Sequence, residues 1–197
     1  GRFPRIGRVK RVTKETDIDV SVNLDGTGNF QVETGLGFFD HMLEQFFKHS
    51  LIDLNLKAKG DLEIDEHHTV EDTGLALGEA IALALGNKKG IRRYSFVLPM
   101  DDTLTEVALD LGGRQYLVFN AKFKRDMVGD LPTEMVKHFF RSVAESLKAN
   151  IHINVRYSEN EHHQIESIFK AFARCMKMAV EEDSRLIGIL PTTKGML

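Results

Sequence analysis

The chain has 197 residues, 42% hydrophobic and 28% charged, which suits one large domain or two small ones whose core needs no disulfide staples. Its net charge of −3 leaves no general footprint for nucleic acid or membrane, and the local basic run Arg2, Arg5, Arg8, Lys10 and Arg11 reads as a solvated strand face or arm. A single cysteine, Cys175, excludes an internal disulfide and thiolate zinc sites, and without an apolar run of about eighteen residues or an apolar N-terminal segment the expectation is a cytoplasmic protein.

Residues 5–14 and 17–24 read as two strands. Ile18, Val20, Val22 and Leu24 alternate with Asp19, Ser21 and Asn23, the period of a half-buried sheet. Asp25-Gly26-Thr27-Gly28 signals a hairpin turn, with Phe30-Gln31-Val32-Glu33 as the returning strand. After the break at Thr34-Gly35-Leu36-Gly37, residues 38–49 read as a helix with Phe39, Met42, Leu43, Phe46 and Phe47 on one side and His41 in its first turn. Residues 51–56 alternate again, and Gly60-Asp61 closes that strand. The block Asp65-Glu66-His67-His68-Thr69-Val70-Glu71-Asp72 opens the next helix, whose residues 75–85 are apolar nearly all round and so buried. Gly86-Asn87 ends it by a left-handed exit.

The order then repeats. Residues 95–100, 106–111 and 115–123 read as strands, with Gly112-Gly113 as the turn between the last two. Leu131-Pro132-Thr133 opens a helix to about residue 148, with Pro132 in its first turn. Residues 151–155 form a strand and residues 162–181 the last helix. Each half reads βββαβα, so the expectation is one α+β domain made of two duplicated units, about 1–90 and 91–197.

The duplication extends to chemistry. His-His-x-x-Glu occurs as His67, His68 and Glu71 and again as His162, His163 and Glu166. In a helix His68 and Glu71 stand at i and i+3, and His67 and Glu71 at i and i+4, and such pairs share a face of the first turn. Neighbouring helical residues point about 100° apart, so the two histidines of a pair cannot easily serve one ion. His41 and His138 stand in the preceding helix of each half. These eight side chains make four ligands for each of two ions, and a six-coordinate ion so held keeps open positions for water or substrate. Imidazole and carboxylate without sulfur suit Mn²⁺, Fe²⁺, Co²⁺ or Ni²⁺, with zinc still open. His49 and His152 fall outside the set and read as ordinary, partly buried histidines. The pattern admits a metal-dependent hydrolase using a bridging hydroxide, or an RNA-binding module served by the N-terminal arginines.

The chain resembles the imidazoleglycerol-phosphate dehydratase family over nearly its whole length. The motifs are Thr13-Lys14-Glu15-Thr16, Leu24-Asp25-Gly26-Thr27-Gly28, Phe39-Asp40-His41-Met42, Gly60-Asp61, the 65–72 block, Pro99-Met100-Asp101, Gly113-Arg114, Phe169-Lys170-Ala171 and Lys194-Gly195. The resemblance implies a hydro-lyase of histidine biosynthesis that converts imidazole glycerol phosphate to imidazole acetol phosphate. It implies two mixed sheets enclosing four helices, and two Mn²⁺ per active site. One ion would be held by His41, His68, Glu71 and His162, the other by His67, His138, His163 and Glu166. The ring, bound through its nitrogens as an imidazolate, would expel the C3 hydroxyl, with Glu15 as general acid and base.

Gln45, Arg93, Arg114, Lys170, Thr192 and Lys194 match positions that hold the substrate's phosphate, and the tail at Pro191-Thr192-Thr193-Lys194-Gly195 is expected to order over the ligand. The family also implies a large cubic homo-oligomer of about 24 copies with ligands shared across subunit contacts. Neither a nucleic-acid nor a membrane partner is expected, nor the phosphatase domain fused to some members. Gly112, Ser158, Thr192, Thr193 and Glu161 depart from the usual residues. Of these, Glu161 brings an extra charge beside the metal histidines and is expected to bear on metal preference.

Overall fold

The structure is a computed structural model that describes residues 4–97 and 102–197. Pro99-Met100-Asp101, the end of the strand expected over 95–100, and Arg2 lie outside the described residues. Within them the chain runs β1 (Ile6–Val12), β2 (Thr16–Asn23), β3 (Phe30–Glu33), α1 (Gly37–Ser50), β4 (Asp53–Gly60) and α2 (His67–Leu85). It continues through β5 (Tyr94–Val97), β6 (Leu104–Asp110), β7 (Tyr116–Asn120), β8 (Met127–Val128), β9 (Leu131–Pro132), α3 (Glu134–Leu147), β10 (Asn150–Tyr157) and α4 (Glu161–Val180).

Two four-stranded mixed sheets have the same design. The first is ordered β1-β2-β4-β3 and the second β5-β6-β10-β7. In each the outermost pairing is parallel, β3 with β4 and β7 with β10, and the other pairings are antiparallel. Alternation sends Ile18, Val20 and Val22 of β2 and Val107 and Leu109 of β6 inward, where they are buried. Between the sheets lie the four helices. α2 packs on β1, β2 and α3, and α1 packs on α4.

The helix pairs meet through phenylalanines: Phe39 lies edge-on to Phe139 at 5.4 Å, and Phe46 stacks on Phe172 at 5.2 Å. Each such ring taken from water stabilises by about 1.5–3 kcal/mol. α2 and α3 approach closely because Gly74 and Gly78 face the partner helix. A Cβ on Gly78 would fall 2.9 Å from the Val143 carbonyl oxygen and 3.0 Å from the Leu147 nitrogen. No helix among the described residues is long and apolar enough to cross a membrane.

Four local expectations need correction. Asp25-Gly26-Thr27-Gly28 is not a hairpin turn, because β3 returns beside β4 rather than β2. That loop is held by Asp53, whose Oδ1 accepts the N–H groups of Thr27, Gly28 and Asn29 at 3.0, 3.1 and 2.9 Å. Gly112-Gly113 likewise joins strands that do not pair, since β10 lies between β6 and β7.

Pro132 does not open α3. It belongs to β9, which pairs with β8, and the helix begins at Glu134. β4 starts at Asp53, not residue 51, because Leu51 caps α1 in the left-handed region at φ 60. Gly86 does end α2, at φ 57 and ψ −125, a conformation open to glycine but outside the left-handed helical region.

Candidate active site

α2 and α4 begin at the histidine pairs and present them alike. On α2, His67 Nε2 lies 2.7 Å from Glu71 Oε2, and on α4, His162 Nε2 lies 3.6 Å from Glu166 Oε2. Each pair then gains a histidine from the helix packed against it. The ring of His138 on α3 is 5.1 Å from that of His67. His41 on α1 joins His162 and Glu166 with all three ligand atoms within 4.8 Å of one another, the one such cluster among the described residues. Two ligands on one ion, with bonds of about 2.1 Å, sit at most about 4.2 Å apart, so small side-chain rotations would let this cluster close on a cation. Mixed nitrogen and oxygen donors without sulfur fit a divalent transition metal.

The second histidine of each pair points elsewhere, as neighbouring helical positions require. The His67 and His68 rings are 6.0 Å apart and 81° to each other; those of His162 and His163 are 6.2 Å apart and 80°. His68 Nδ1 donates to Asp61 Oδ2 at 2.8 Å, and His163 Nδ1 to Asp102 Oδ2 at 3.3 Å. With Nδ1 so occupied, Nε2 is the atom left for a metal. The motif Gly60-Asp61 drew attention to Asp61 only as the end of a strand; nothing in the sequence alone marked Asp102.

Helix starts hold these side chains in place. Asn160 caps α4 by accepting the His163 N–H at 3.1 Å, and Asp65 accepts the His67 N–H at 2.9 Å. α1 is capped from the other half of the chain. Asp130, in the β8–β9 turn, accepts the Gly37 and Phe38 N–H groups at 2.6 and 3.1 Å. Glu161 does not turn toward the histidines: its carboxylate accepts the backbone N–H groups of Lys124 and Arg125. The extra acid at this position therefore anchors a loop.

Charge is arranged unevenly. The Asp61 hydrogen bond, with added attraction from Asp61, Glu15 and Asp65, holds the His68 pKa above its usual value. Burial alone would push Glu166 up, but the Lys170 ammonium, bonded at 2.9 Å, together with His162 and His41, takes it below the usual carboxylate range. His49 is pushed down by burial and by the charges of Lys170, Lys48 and Arg174. Glu15 sits exposed at the turn between β1 and β2, near enough for its charge to bear on His68. Both clusters open to solvent, with His67, Glu71 and His162 side chains 43%, 42% and 46% exposed.

The expected ligand sets are not assembled within one chain. His41 and His162 come together as the resemblance implies, but with Glu166 in place of Glu71 and without His68. His67 and His138 come together with Glu71 in place of Glu166 and without His163. The phosphate-binding set divides as well. Arg93, Arg114, Thr192 and Lys194 line a cavity of about 810 Å³ with Gly113 and Leu197, whereas Gln45 and Lys170 stand one turn beyond His41 and Glu166 on the packed helices α1 and α4.

Within that cavity the Arg93 guanidinium forks onto Asp110 at 2.7 and 3.2 Å and donates to the Pro191 carbonyl at 3.0 Å. Lys88, buried with its pKa pushed down by desolvation, donates to the carbonyls of Leu111 and Leu197. The tail thus lies across the mouth of the second sheet, where a side chain at Gly113 would run into the Leu197 backbone. Arg114 and Lys194 are exposed, and their side chains make no hydrogen bond or ion pair among the described residues.

A family model described as imidazoleglycerol-phosphate dehydratase matches residues 34–176. The chain belongs to the imidazoleglycerol-phosphate dehydratase family. It is 56% identical over 193 residues to the histidine biosynthesis bifunctional protein HisB of Bacteroides fragilis, an alignment that covers 98% of this chain and 51% of that one. It is also 56% identical to the HisB of Spirosoma linguale, over 100% of this chain and 51% of the relative.

The chain therefore spans about half the length of the curated relatives it matches. Among solved structures it is similar to imidazoleglycerol-phosphate dehydratase from Staphylococcus aureus, with TM-score 0.81 and 37% identity over 90% of this chain and 99% of that one. The enzyme from Pyrococcus furiosus in complex with (S)-C348 gives TM-score 0.80 and 31% identity over 96% of this chain and 100% of the other.

Proposed function

We propose that this chain dehydrates imidazole glycerol phosphate to imidazole acetol phosphate in histidine biosynthesis, as a cytoplasmic hydro-lyase with two Mn²⁺ per active site. The observation that carries the proposal is the pair of matched clusters, His41, His162 and Glu166 on one helix pair and His67, Glu71 and His138 on the other. The chemistry asks for two cations because the imidazole ring has two nitrogens to hold. When bound, the metals supply Lewis acidity toward those nitrogens.

The chain's own residues do the rest. His68 and His163, oriented by Asp61 and Asp102, offer Nε2 to complete the ligand sets. Arg93, Arg114, Thr192 and Lys194, with Gln45 and Lys170, hold the phosphate and so fix the three-carbon chain relative to the ring. Glu15, on its exposed turn beside His68, takes the C2 proton and returns a proton to the departing C3 hydroxyl.

Single-chain geometry also supports assembly. Each cluster combines histidines expected at one ion with the carboxylate expected at the other, which is what two facing half-sites on different copies require. The outer face of the second sheet carries Tyr94, Phe96 and Tyr116, 57%, 67% and 62% exposed, an apolar surface suited to contact between copies. The oligomer we propose is the large cubic shell of the family.

The reaction is tested by following ketone formation from imidazole glycerol phosphate after chelation and after separate return of Mn²⁺ or Zn²⁺. Chelation is expected to abolish ketone formation and Mn²⁺ to restore it. Glu15→Gln should lower kcat by about 10²–10⁴-fold with bound metal unchanged. Full activity of Glu15→Gln on a phosphate ester would instead mark a metal-dependent hydrolase.

A further inference from the structure

We propose that Thr16 and Asp72 are positioning residues that lock the Glu15 turn to the helix carrying His67, His68 and Glu71; this rests on the dehydratase reading, in which Glu15 moves the proton. Thr16 Oγ1 donates to Asp72 Oδ2 at 2.7 Å. A hydroxyl has one proton, so in the 3.1 Å contact between the two threonine hydroxyls Thr13 is the donor and Thr16 the acceptor. Thr13 Oγ1 keeps its lone pairs for the backbone N–H groups of Glu15 and Thr16, at 3.2 and 3.0 Å. The Thr13 N–H closes the turn on the Thr16 carbonyl at 2.8 Å.

A directed chain of hydrogen bonds therefore runs from Asp72, through two hydroxyls, to the backbone of Glu15. Its inner end is shielded, since Thr16 is 4% exposed and the Asp72 side chain 14%, and hydrogen bonds out of water are stronger for being ordered in one direction. Arg11 Nε, 3.9 Å from Asp72 Oδ1, keeps an opposite charge beside the carboxylate. Asp72 follows Glu71 directly, so the tie is made to the same helical turn as a metal ligand. Glu15 itself projects into solvent from a turn that would otherwise be free to swing, and a misplacement of about 1 Å in a catalytic group can cost about 100-fold in rate.

The test uses Thr16→Val, Asp72→Ala, their double variant and Thr16→Ser in the metal-loaded protein, with wild type and Glu15→Gln alongside. Four quantities are read: kcat, KM, metal bound per chain, and amide exchange at Glu15. Thr16→Val is expected to lower kcat about 10- to 100-fold, with KM and bound metal within about two-fold of wild type and faster exchange at Glu15. Asp72→Ala should do the same, the double variant should fall no further than the worse single variant, and Thr16→Ser should restore the rate.

Wild-type kcat in Thr16→Val with exchange at Glu15 unchanged would overturn the proposal. So would losses that multiply in the double variant. An inactive wild type would instead sink the dehydratase reading, and an active Glu15→Gln the role of Glu15; the positioning proposal would fall with either. Because Thr16→Val nearly preserves side-chain shape, it remains informative if Asp72→Ala fails to fold.

Discussion

A histidine whose Nδ1 is held by a carboxylate gives up one degree of freedom and one choice of tautomer. His68 and His163 are both held this way. In the metal-free chain the pairing of His68 with Asp61 raises its pKa above 6.5. A raised folded-state value means that the pair adds stability that is fully present below pH 6.5 and is lost as pH rises through the folded value. Protons and metal compete for that ring, so metal binding should weaken on acidification. Asp61→Asn is expected to bring the His68 midpoint down in an NMR titration of the metal-free chain and to weaken metal binding by about 10- to 100-fold in calorimetry. An unchanged midpoint would remove Asp61 from this role. The histidines and glutamates were legible in the sequence because the pattern occurs twice. Asp102 was not, because a carboxylate far from its histidine in sequence shows only when the turn before β6 is brought beside the start of α4.

At the scale of elements, local pattern located every long helix, but it did not say which strands pair. The signal at Asp25-Gly26-Thr27-Gly28 is real turn chemistry, yet a turn fixes only where the chain bends. β3 runs parallel beside β4, and Asp53 at the start of β4 gathers the three loop N–H groups that lead into it. The same limit misplaced Gly112-Gly113. Pro132 was read as the first turn of a helix because proline is at home there; it pairs with Met127 of β8 in a short strand instead. Glycine was the other concealed feature, since Gly74 and Gly78 look like weak points in a helix and are the positions where α3 comes nearest. Gly78→Ala should therefore destabilise the fold by about 1–3 kcal/mol in urea unfolding, as overpacking does. A gain in stability, as helix propensity alone would give, would show that the two helices have room to separate.

On the scale of the whole molecule, the single chain carries two half-exposed clusters rather than one closed site. The repeat explains this. The chain has two helix starts of like design, His67 with Glu71 and His162 with Glu166, but the two stand on different helix pairs. A fold that keeps them apart within one chain can still join them between chains if copies meet through these faces, and a closed symmetric assembly repeats the junction for every copy. The resemblance implied such sharing; periodicity and spacing alone could not, because nothing in them describes a neighbouring chain.

Complementation between two inactive variants tests that sharing most directly. His41→Ala breaks one cluster and His67→Ala the other, so each protein alone should lose dehydration of imidazole glycerol phosphate. Co-assembled in equal amounts, they should recover about a quarter of wild-type activity, the statistical share of junctions that pair an intact cluster from each variant. A mixed assembly no more active than its parents would contradict the account.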